Sequence, residues 1–373
     1  MNIAPHTRYY LGFNLVSGIG PTRLARLIER CGSVEAAWHA GPGELMAAGL
    51  DGKVGAALLE ARRTLDLDAE LERVVQAGAH LLTIADPEYP PLLAQIPAPP
   101  PLLYVRGTLA GIDEWAVAVV GTRVPTSYGR EATRRIVADL TVNSVTIVSG
   151  LALGIDAVAH TAALENGGRT LAVLGCGVDV RYPERNQRLA AQIIEQGALI
   201  SEYPIGTQPA AINFPPRNRI ISGLTLGTLV VEAGEKSGAL ITVDFALEQG
   251  RDVFAVPGTI FSARSSGTNR LIRNGAGLVT AGQDILESLN LTAAPVQQEI
   301  AAAIPEDPME AALLAQLSAE PQHADHLSRA GGMPASMVAS TLAMLELKGY
   351  IRQVAPMEYV LARETQAVYC ADG

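Results

Sequence analysis

The sequence predicts an α/β protein built on a parallel sheet, and three observations carry that prediction. Short apolar, β-branched runs recur between residues 116 and 280, and helical segments alternate with them. The runs are continuous rather than alternating with polar residues, as in strands that crossover helices cover on both faces. Glycine-rich segments follow the runs directly, where such sheets hold their ligands. The chain has 373 residues, enough for two or three domains, and 48% hydrophobic against 18% charged residues fits a sizeable core. Aromatic residues make up only 5%, so Ala, Val, Leu and Ile must build that core.

Residues 8–75 read as helical, within a first domain expected over 1–80. The stretch Val16-Ser17-Gly18-Ile19-Gly20-Pro21 reads as a hairpin between two helices, with glycines for the turn and Pro21 to start the second helix. Such hairpins often touch a DNA backbone through their amides, but few lysines lie here, which favours a small bundle packed on its neighbour. Residues 86–107 are proline-rich around Pro97-Ala98-Pro99-Pro100-Pro101 and read as a boundary or clamp between domains. The central domain is expected over 81–289. Its strands are predicted at Ala116–Val120, Val145–Ser149, Thr170–Leu174, Ala198–Ser201, Thr228–Val231 and Asp252–Val256, with a short one near Leu278–Thr280. Residues 290–308 lack periodicity and read as a linker. Residues 309–373 form a last unit: Leu313, Leu314 and Leu317 open one helix, Leu342, Leu345 and Leu347 close another, and Tyr359-Val360-Leu361 returns as a strand. This is the outline of a winged helix. Its recognition-helix candidate, Ala335–Leu347, is almost uncharged, which favours protein contact or packing over groove reading.

Composition narrows the function. Cys31, Cys176 and Cys370 are far apart and odd in number, against a disulfide framework or a zinc site and in favour of a reducing cytosol. No signal peptide is visible, and no apolar run approaches the roughly 20 residues that span a bilayer. A cytoplasmic protein without membrane contact is expected. The net charge of −10 confines any nucleic-acid site to a local patch, because the rest of the surface repels DNA.

Five segments carry candidate chemistry. Phe214-Pro215-Pro216-Arg217-Asn218-Arg219 sets two guanidiniums, an amide and an aromatic ring beside a proline pair. Arginine forks match phosphate oxygens, and an aromatic face stacks on an unpaired base. The same run also fits a loop-to-helix joint with both arginines in solvent or paired with carboxylates. Gly121-Thr122-Arg123 ends the first strand of the alternating region. Gly121 there permits close backbone approach, and the helix after it offers free amides to an anion beneath Arg123. Gly150 begins a second glycine turn, before Asp156 and His160, which lie four apart and fit a mutual hydrogen bond better than a metal site. Gly175-Cys176-Gly177 is a weak signal, and nothing places a base beside Cys176. Lys236, Arg270 and Arg273 stand in further polar, glycine-rich turns.

Together these segments resemble the DNA-processing protein A (DprA, also Smf) family. The resemblance runs from about residue 8 to 363. It rests on VAVVGTR, SGLALGIDAVAH, LAVLGCGVDVRYP, NFPPRNRIISGL, EAGEKSGALIT and AVPG. It implies an extended Rossmann-like core, flanked by an N-terminal helical domain of the SAM or helix-hairpin-helix type and a C-terminal winged helix. It implies a protein of natural transformation that binds and protects single-stranded DNA, dimerises, loads a RecA-type recombinase and can promote annealing. A single-strand-binding protein is a further implied partner; no catalytic residue, cofactor or metal is implied. By position, Arg123 becomes a phosphate contact, Gly121 and Gly150 backbone-approach positions, and Phe214, Arg217, Asn218 and Arg219 part of a strand-binding pocket. Leu153 departs from the pattern, since the family's second motif usually has arginine there. The basic residue that often precedes the Phe-Pro pair is also absent, with Ala210, Ala211 and Ile212 in its place. Lys236, Arg270 and Arg273 are the candidates to supply the missing charge.

An enzyme that cleaves nucleoside monophosphates is the competing reading. Gly227-Thr228 and Glu232 echo the end of its Pro-Gly-Gly-x-Gly-Thr…Glu loop, but the Pro-Gly-Gly portion is missing. An adaptor that binds recombinase without DNA is a third.

Overall fold

The computed structural model describes residues 4–50, 52–291, 313–314, 316–317, 322–331, 333–347, 351–355 and 357–361. It divides into two compact units, residues 1–295 and 296–373.

The first unit opens with α1 (Thr7–Leu15), α2 (Pro21–Cys31), α3 (Val34–His39), α4 (Pro42–Ala47), α5 (Gly52–Thr64) and α6 (Leu67–Gln76). The α1–α2 hairpin forms where expected: Gly18 takes φ +88°, and Pro21 is the first residue of α2. Ser33 caps α3 by accepting the Ala36 N–H at 3.0 Å. Phe13 meets Trp38 edge to face, with ring centroids 5.2 Å apart. The core around Leu11, Phe13, Leu27 and Leu58 is continuous with Tyr104, Leu174 and Leu199 of the sheet region, so the helices and the sheet bury their apolar surface together. The expected boundary at 80/81 falls at the first residue of β1.

The sheet has nine strands among the described residues: β1 (His80–Thr83), β2 (Leu102–Gly107), β3 (Ala116–Val120), β4 (Thr146–Ser149), β5 (Thr170–Val173), β6 (Ala198–Ser201), β7 (Gly227–Val230), β8 (Asp252–Ala255) and β9 (Gly277–Leu278). Their order is β1-β2-β6-β5-β4-β3-β7-β8-β9, parallel from β6 to β9. Helices α7 (Pro91–Ala94), α8 (Ser127–Val142), α9 (Ile155–Glu165), α10 (Gln187–Gln196), α11 (Phe214–Gly223), α12 (Ala239–Glu248), α13 (Ser266–Arg273) and α14 (Gly282–Ser288) complete the unit. Residues buried in β3, β4, β5 and β7 confirm the expected two-faced core.

One expectation is corrected. The proline-rich region is not only a clamp, because its end, Leu102–Gly107, is a strand inside the sheet. β2 pairs antiparallel with both β1 and β6. The prolines stop at Pro101, so every residue of β2 keeps its N–H for the ladder.

The second unit holds β10 (Gln322–His323), α15 (Ala324–Gly331), α16 (Ala335–Leu347), β11 (Ile351–Ala355) and β12 (Glu358–Leu361), with strand order β10-β12-β11. Leu313, Leu314, Leu327, Leu342, Leu345 and Tyr359 form its core. Among the described residues, two helices, a helical pair at 313–314 and a three-stranded sheet give the expected winged helix; the rest of the helix expected around residues 313–317 lies largely outside them. Met337 and Met344 stand exposed on α16, consistent with its lack of basic residues. Nearly all of the expected linker, residues 292–308, lies outside the described residues, as do residues 362–373.

Candidate nucleic-acid interface

The strand order reverses between β3 and β7, and crevices at such points normally take the ligand. Here the chain's own carboxylate fills it. Glu232 is buried, and its Oε2 accepts the Thr126 N–H at 2.8 Å at the start of α8. Its backbone carbonyl accepts the Thr122 N–H at 2.7 Å. The anion expected at the α8 N-terminus is therefore Glu232 itself, which corrects the reading of that helix as a phosphate seat. Gly121 belongs to the same packing: a Cβ there would lie 2.6 Å from the Ile155 side chain and 3.0 Å from the Glu232 carbonyl. It makes room for protein rather than for ligand backbone.

The open pocket lies to one side, over the carboxyl ends of β3, β4 and β5. It holds about 80 Å³ and is lined by Arg123, Gly150, Leu153, Tyr182, Phe214 and Arg217, among others. Four of the expected site residues thus converge. Arg217 is the floor. Its Nη1 donates to the Gly150 carbonyl at 2.9 Å and to the Val173 carbonyl, tying α11 to the ends of β4 and β5. Its Nε donates to Asn218 Oδ1 at 3.3 Å. Its Nη2 makes no hydrogen bond among the described residues, so one guanidinium nitrogen remains for a ligand. Gly150 is glycine for this arginine: a Cβ would sit 2.6 Å from Nη2. That corrects its reading as a position of close ligand approach.

Asp156, at the first turn of α9, balances the buried cation. Its Oδ2 accepts the Gly150 and Ala152 N–H groups at 3.1 and 3.3 Å. Burial pushes its carboxyl above the usual range, and the Arg217 charge and these N–H donors oppose that. Burial likewise pulls the Arg217 guanidinium down, while Asp156 supports it. The expected Asp156–His160 hydrogen bond does not form. Thr170 Oγ1 donates to the Ile147 carbonyl at 2.8 Å, so His160 Nδ1–H donates to Thr170 Oγ1 at 2.6 Å.

Burial, with the Arg217 charge second, holds His160 down to about 3. Its folded value lies below its unfolded value of 6.5. The stabilisation is complete above pH 6.5 and is lost as pH falls towards 3, by about 1.4 kcal/mol per unit. Urea unfolding from pH 7 to 4 should show this slope, and His160→Asn should flatten it. An unchanged slope in the variant would assign the acid sensitivity to other groups.

The pocket wall is aromatic. Phe214 and Tyr182 lie with ring centroids 5.7 Å apart and planes inclined by 36°. The Arg217 guanidinium carbon is 5.8 Å from the Phe214 centroid. Gly175 leaves space for that ring, since a Cβ would come within 2.8 Å of it. Tyr182 was not among the expected site residues; its signal was an aromatic residue before proline, shortly after a glycine turn. The Tyr182–Pro183 peptide is cis, and Asn186 fastens the segment by donating to the Leu151 carbonyl at 2.8 Å. Cys176 is buried and its thiol is pushed up to about 11, mainly by burial, so it is no nucleophile.

Arg123 stands exposed at the rim and forms no ion pair among the described residues. Leu153 shares that rim at 37% exposure. The other expected cations lie elsewhere. Arg219 points to the opposite side of α11 and pairs with Glu202 at 2.6 Å, both largely buried. Burial pushes the Glu202 carboxyl up and Arg219 opposes it. Arg219 is thus a structural partner, which corrects its place in the pocket. Asn218 supports Arg217 from the side. Lys236 is exposed in the turn after β7. Arg270 and Arg273 belong to the last turn of α13, which runs back from the carboxyl edge, and Arg273 lies about 10 Å from its start.

No cluster of metal-ligating side chains occurs among the described residues. No helix there is long and apolar enough to cross a membrane. The fold and site define a doubly wound α/β protein with a small cationic, aromatic-walled pocket at the sheet's carboxyl edge, joined to a winged-helix unit.

Residues 80–290 match the family model of DNA recombination-mediator protein A, and residues 284–355 match the DprA winged helix domain. The chain belongs to this DprA/Smf family. Protein Smf of Escherichia coli is 42% identical over 329 residues, covering 83% of this chain and 86% of the relative. The DNA processing protein DprA of Streptococcus pneumoniae is 48% identical over 219 residues, covering 59% and 77%. The X-ray structure of that pneumococcal protein aligns with a TM-score of 0.68 and 38% identity, over 77% of this chain and 98% of the other. DNA processing protein A of Helicobacter pylori, described for its single-stranded DNA binding mode, aligns with a TM-score of 0.52 and 29% identity, over 57% and 97%.

Proposed function

We propose that this protein binds single-stranded DNA at the pocket over β3, β4 and β5 and passes it to a RecA-type recombinase. It acts in the cytoplasm on DNA taken up in natural transformation. The observation that carries this reading is the exposed Arg123 above the Phe214–Tyr182 pair, with the free nitrogen of Arg217 beneath. A phosphate meets the two guanidiniums while an unpaired base lies against an aromatic face. A duplex keeps its bases stacked and cannot use the second contact. The role is binding rather than catalysis: about 80 Å³ is well below the 300–1,000 Å³ typical of sites that enclose a small molecule. Glu232, the carboxylate of the hydrolase-like reading, already accepts the backbone N–H of Thr126.

The DNA-binding core spans 81–289, between a helical domain at 1–80 and, beyond a linker at 290–308, a winged helix at 309–373. The protein works as a dimer, which holds two strands, protects them and favours annealing; a single-strand-binding protein is a further partner. The winged helix, with its almost uncharged α16, contacts protein.

Fluorescence anisotropy with labelled oligo-dT and a matching duplex tests the reading. Single strands should bind in preference, with a salt slope near −2 if about three phosphates are neutralised. Equal binding to both forms, or none to either, would overturn it. The rim also predicts a gain. Leu153→Arg restores a third cation beside Arg123 and should tighten oligo-dT binding about tenfold, steepening the slope by about 0.7. An unchanged slope would place residue 153 off the DNA path.

A further inference from the structure

We propose that the loop Gly258–Ser265 is a second base-stacking platform for single-stranded DNA, with Phe261 against a base and Arg264 and Lys236 near the adjoining phosphates. The proposal rests on the single-strand reading above and extends the strand's path across the sheet edge.

Phe261 is 93% exposed and its neighbour Ile260 is 84% exposed. The loop that carries them is well braced. Ser262 N–H donates to the Thr259 carbonyl at 3.1 Å, and Ser265 N–H to the Ser262 carbonyl at 3.0 Å. The Asn269 amide clamps Gly258 twice, accepting its N–H at 3.1 Å and donating to its carbonyl at 2.9 Å. An ordered loop that holds a phenyl ring in water is a contact surface awaiting an occupant.

Charge and position select the occupant. From Val253 to Gln283 the chain carries Arg264, Arg270 and Arg273 and no carboxylate, in a protein of net charge −10. Lys236 extends from the turn against which this loop packs, with Glu235 the carboxylate beside it. That packing is direct: the Gly267 N–H donates to the Ala233 carbonyl at 2.9 Å, and a Cβ on Gly234 would lie 3.1 Å from the Ala263 carbonyl. Ala233 follows Glu232, whose carbonyl holds Thr122 next to Arg123. Tyr128, on the first turn of α8, donates its hydroxyl to the Pro257 carbonyl at 2.7 Å. A continuous ledge thus runs from the Arg123 rim over the filled crevice to Phe261. It crosses two strand spacings, about 10 Å. An aromatic face flanked by exposed cations, in line with a phosphate-binding arginine, matches the sequence-tolerant recognition of a single strand.

The test compares oligo-dT of about two nucleotides, too short to cross the ledge of about 10 Å, and of about 16, the upper reach of a single binding groove. Phe261→Ala should weaken the longer oligonucleotide about tenfold, the loss of roughly one stacked base, and leave the shorter one unchanged. Phe261→Trp should bind normally and show fluorescence quenched by the longer oligonucleotide. If the wild type binds the longer oligonucleotide and Phe261→Ala binds it equally well, the platform is wrong and the pocket stands. If the wild type binds neither, both fall. If Phe261→Ala instead changes the sedimenting species without DNA, the loop is a contact between copies of the chain and the proposal is overturned.

Discussion

Replacing Arg217 with methionine is expected to lower the free energy of unfolding by about 3–5 kcal/mol, the usual cost of removing one partner from a buried charge pair. Three losses combine. The carbonyls of Gly150 and Val173 lose their shared donor, α11 loses its tie to the ends of β4 and β5, and Asp156 keeps a buried charge without its counterion. The last gives a signature that a packing defect would lack. With the cation gone, the Asp156 carboxyl moves further above its unfolded value of 3.8. A carboxyl raised in the folded state costs stability as pH rises through that unfolded value and regains it when protonated. The deficit of Arg217→Met should therefore be larger at pH 7 than at pH 4. Adding Asp156→Asn should recover part of it, with a coupling of about 1–3 kcal/mol. Urea unfolding of the four chains at both pH values measures this. A deficit that is independent of pH and of residue 156 would show that Arg217 acts through packing alone.

The sequence made the parallel part of the fold legible because strands covered on both faces leave uninterrupted apolar runs. β3 through β8 were predicted to within a residue or so at each end. The strands that escaped, β1 and β2, are antiparallel. β1 has only four residues, and β2 follows a proline cluster that reads as a break. Their place beside β6 is a tertiary fact, set by pairing partners about 100 residues apart in sequence for β2 and β6. The site divides in the same way. Residue types singled out Arg123, Phe214 and Arg217, and the pocket brings all three together. Direction was not legible. Arg217 and Arg219 are two apart, so a helix turns them roughly 200° from each other. One enters the pocket and the other enters the Glu202 pair. Gly121 and Gly150 were read as leaving room for a ligand, yet they leave room for Ile155 and Arg217, as Gly175 does for Phe214. Sequence shows that a Cβ is absent but not what occupies its place.

Arg123→Glu is expected to weaken oligo-dT binding about 100-fold while leaving the unfolding midpoint unchanged. The contrast with Arg217 follows from burial. Arg123 is exposed and forms no ion pair among the described residues, so the folded state holds no partner to strand. Its loss removes a charge-assisted contact of about 1.5–3 kcal/mol, and the glutamate adds repulsion to the same phosphate. Arg123→Ala separates the two effects. It should reduce affinity about tenfold and make the salt slope shallower by about 0.7, the share of one phosphate on a single strand. Binding of the duplex should weaken by a smaller factor, because it makes the phosphate contact without the base contact at the pocket's aromatic wall. If both variants bind oligo-dT as the wild type does, Arg123 is not a phosphate contact. If both lose affinity but the slope is constant, Arg123 positions the Gly121–Thr122 turn instead of meeting the strand. Only a fall in affinity together with a shallower slope and an unchanged fold places the phosphate at this guanidinium.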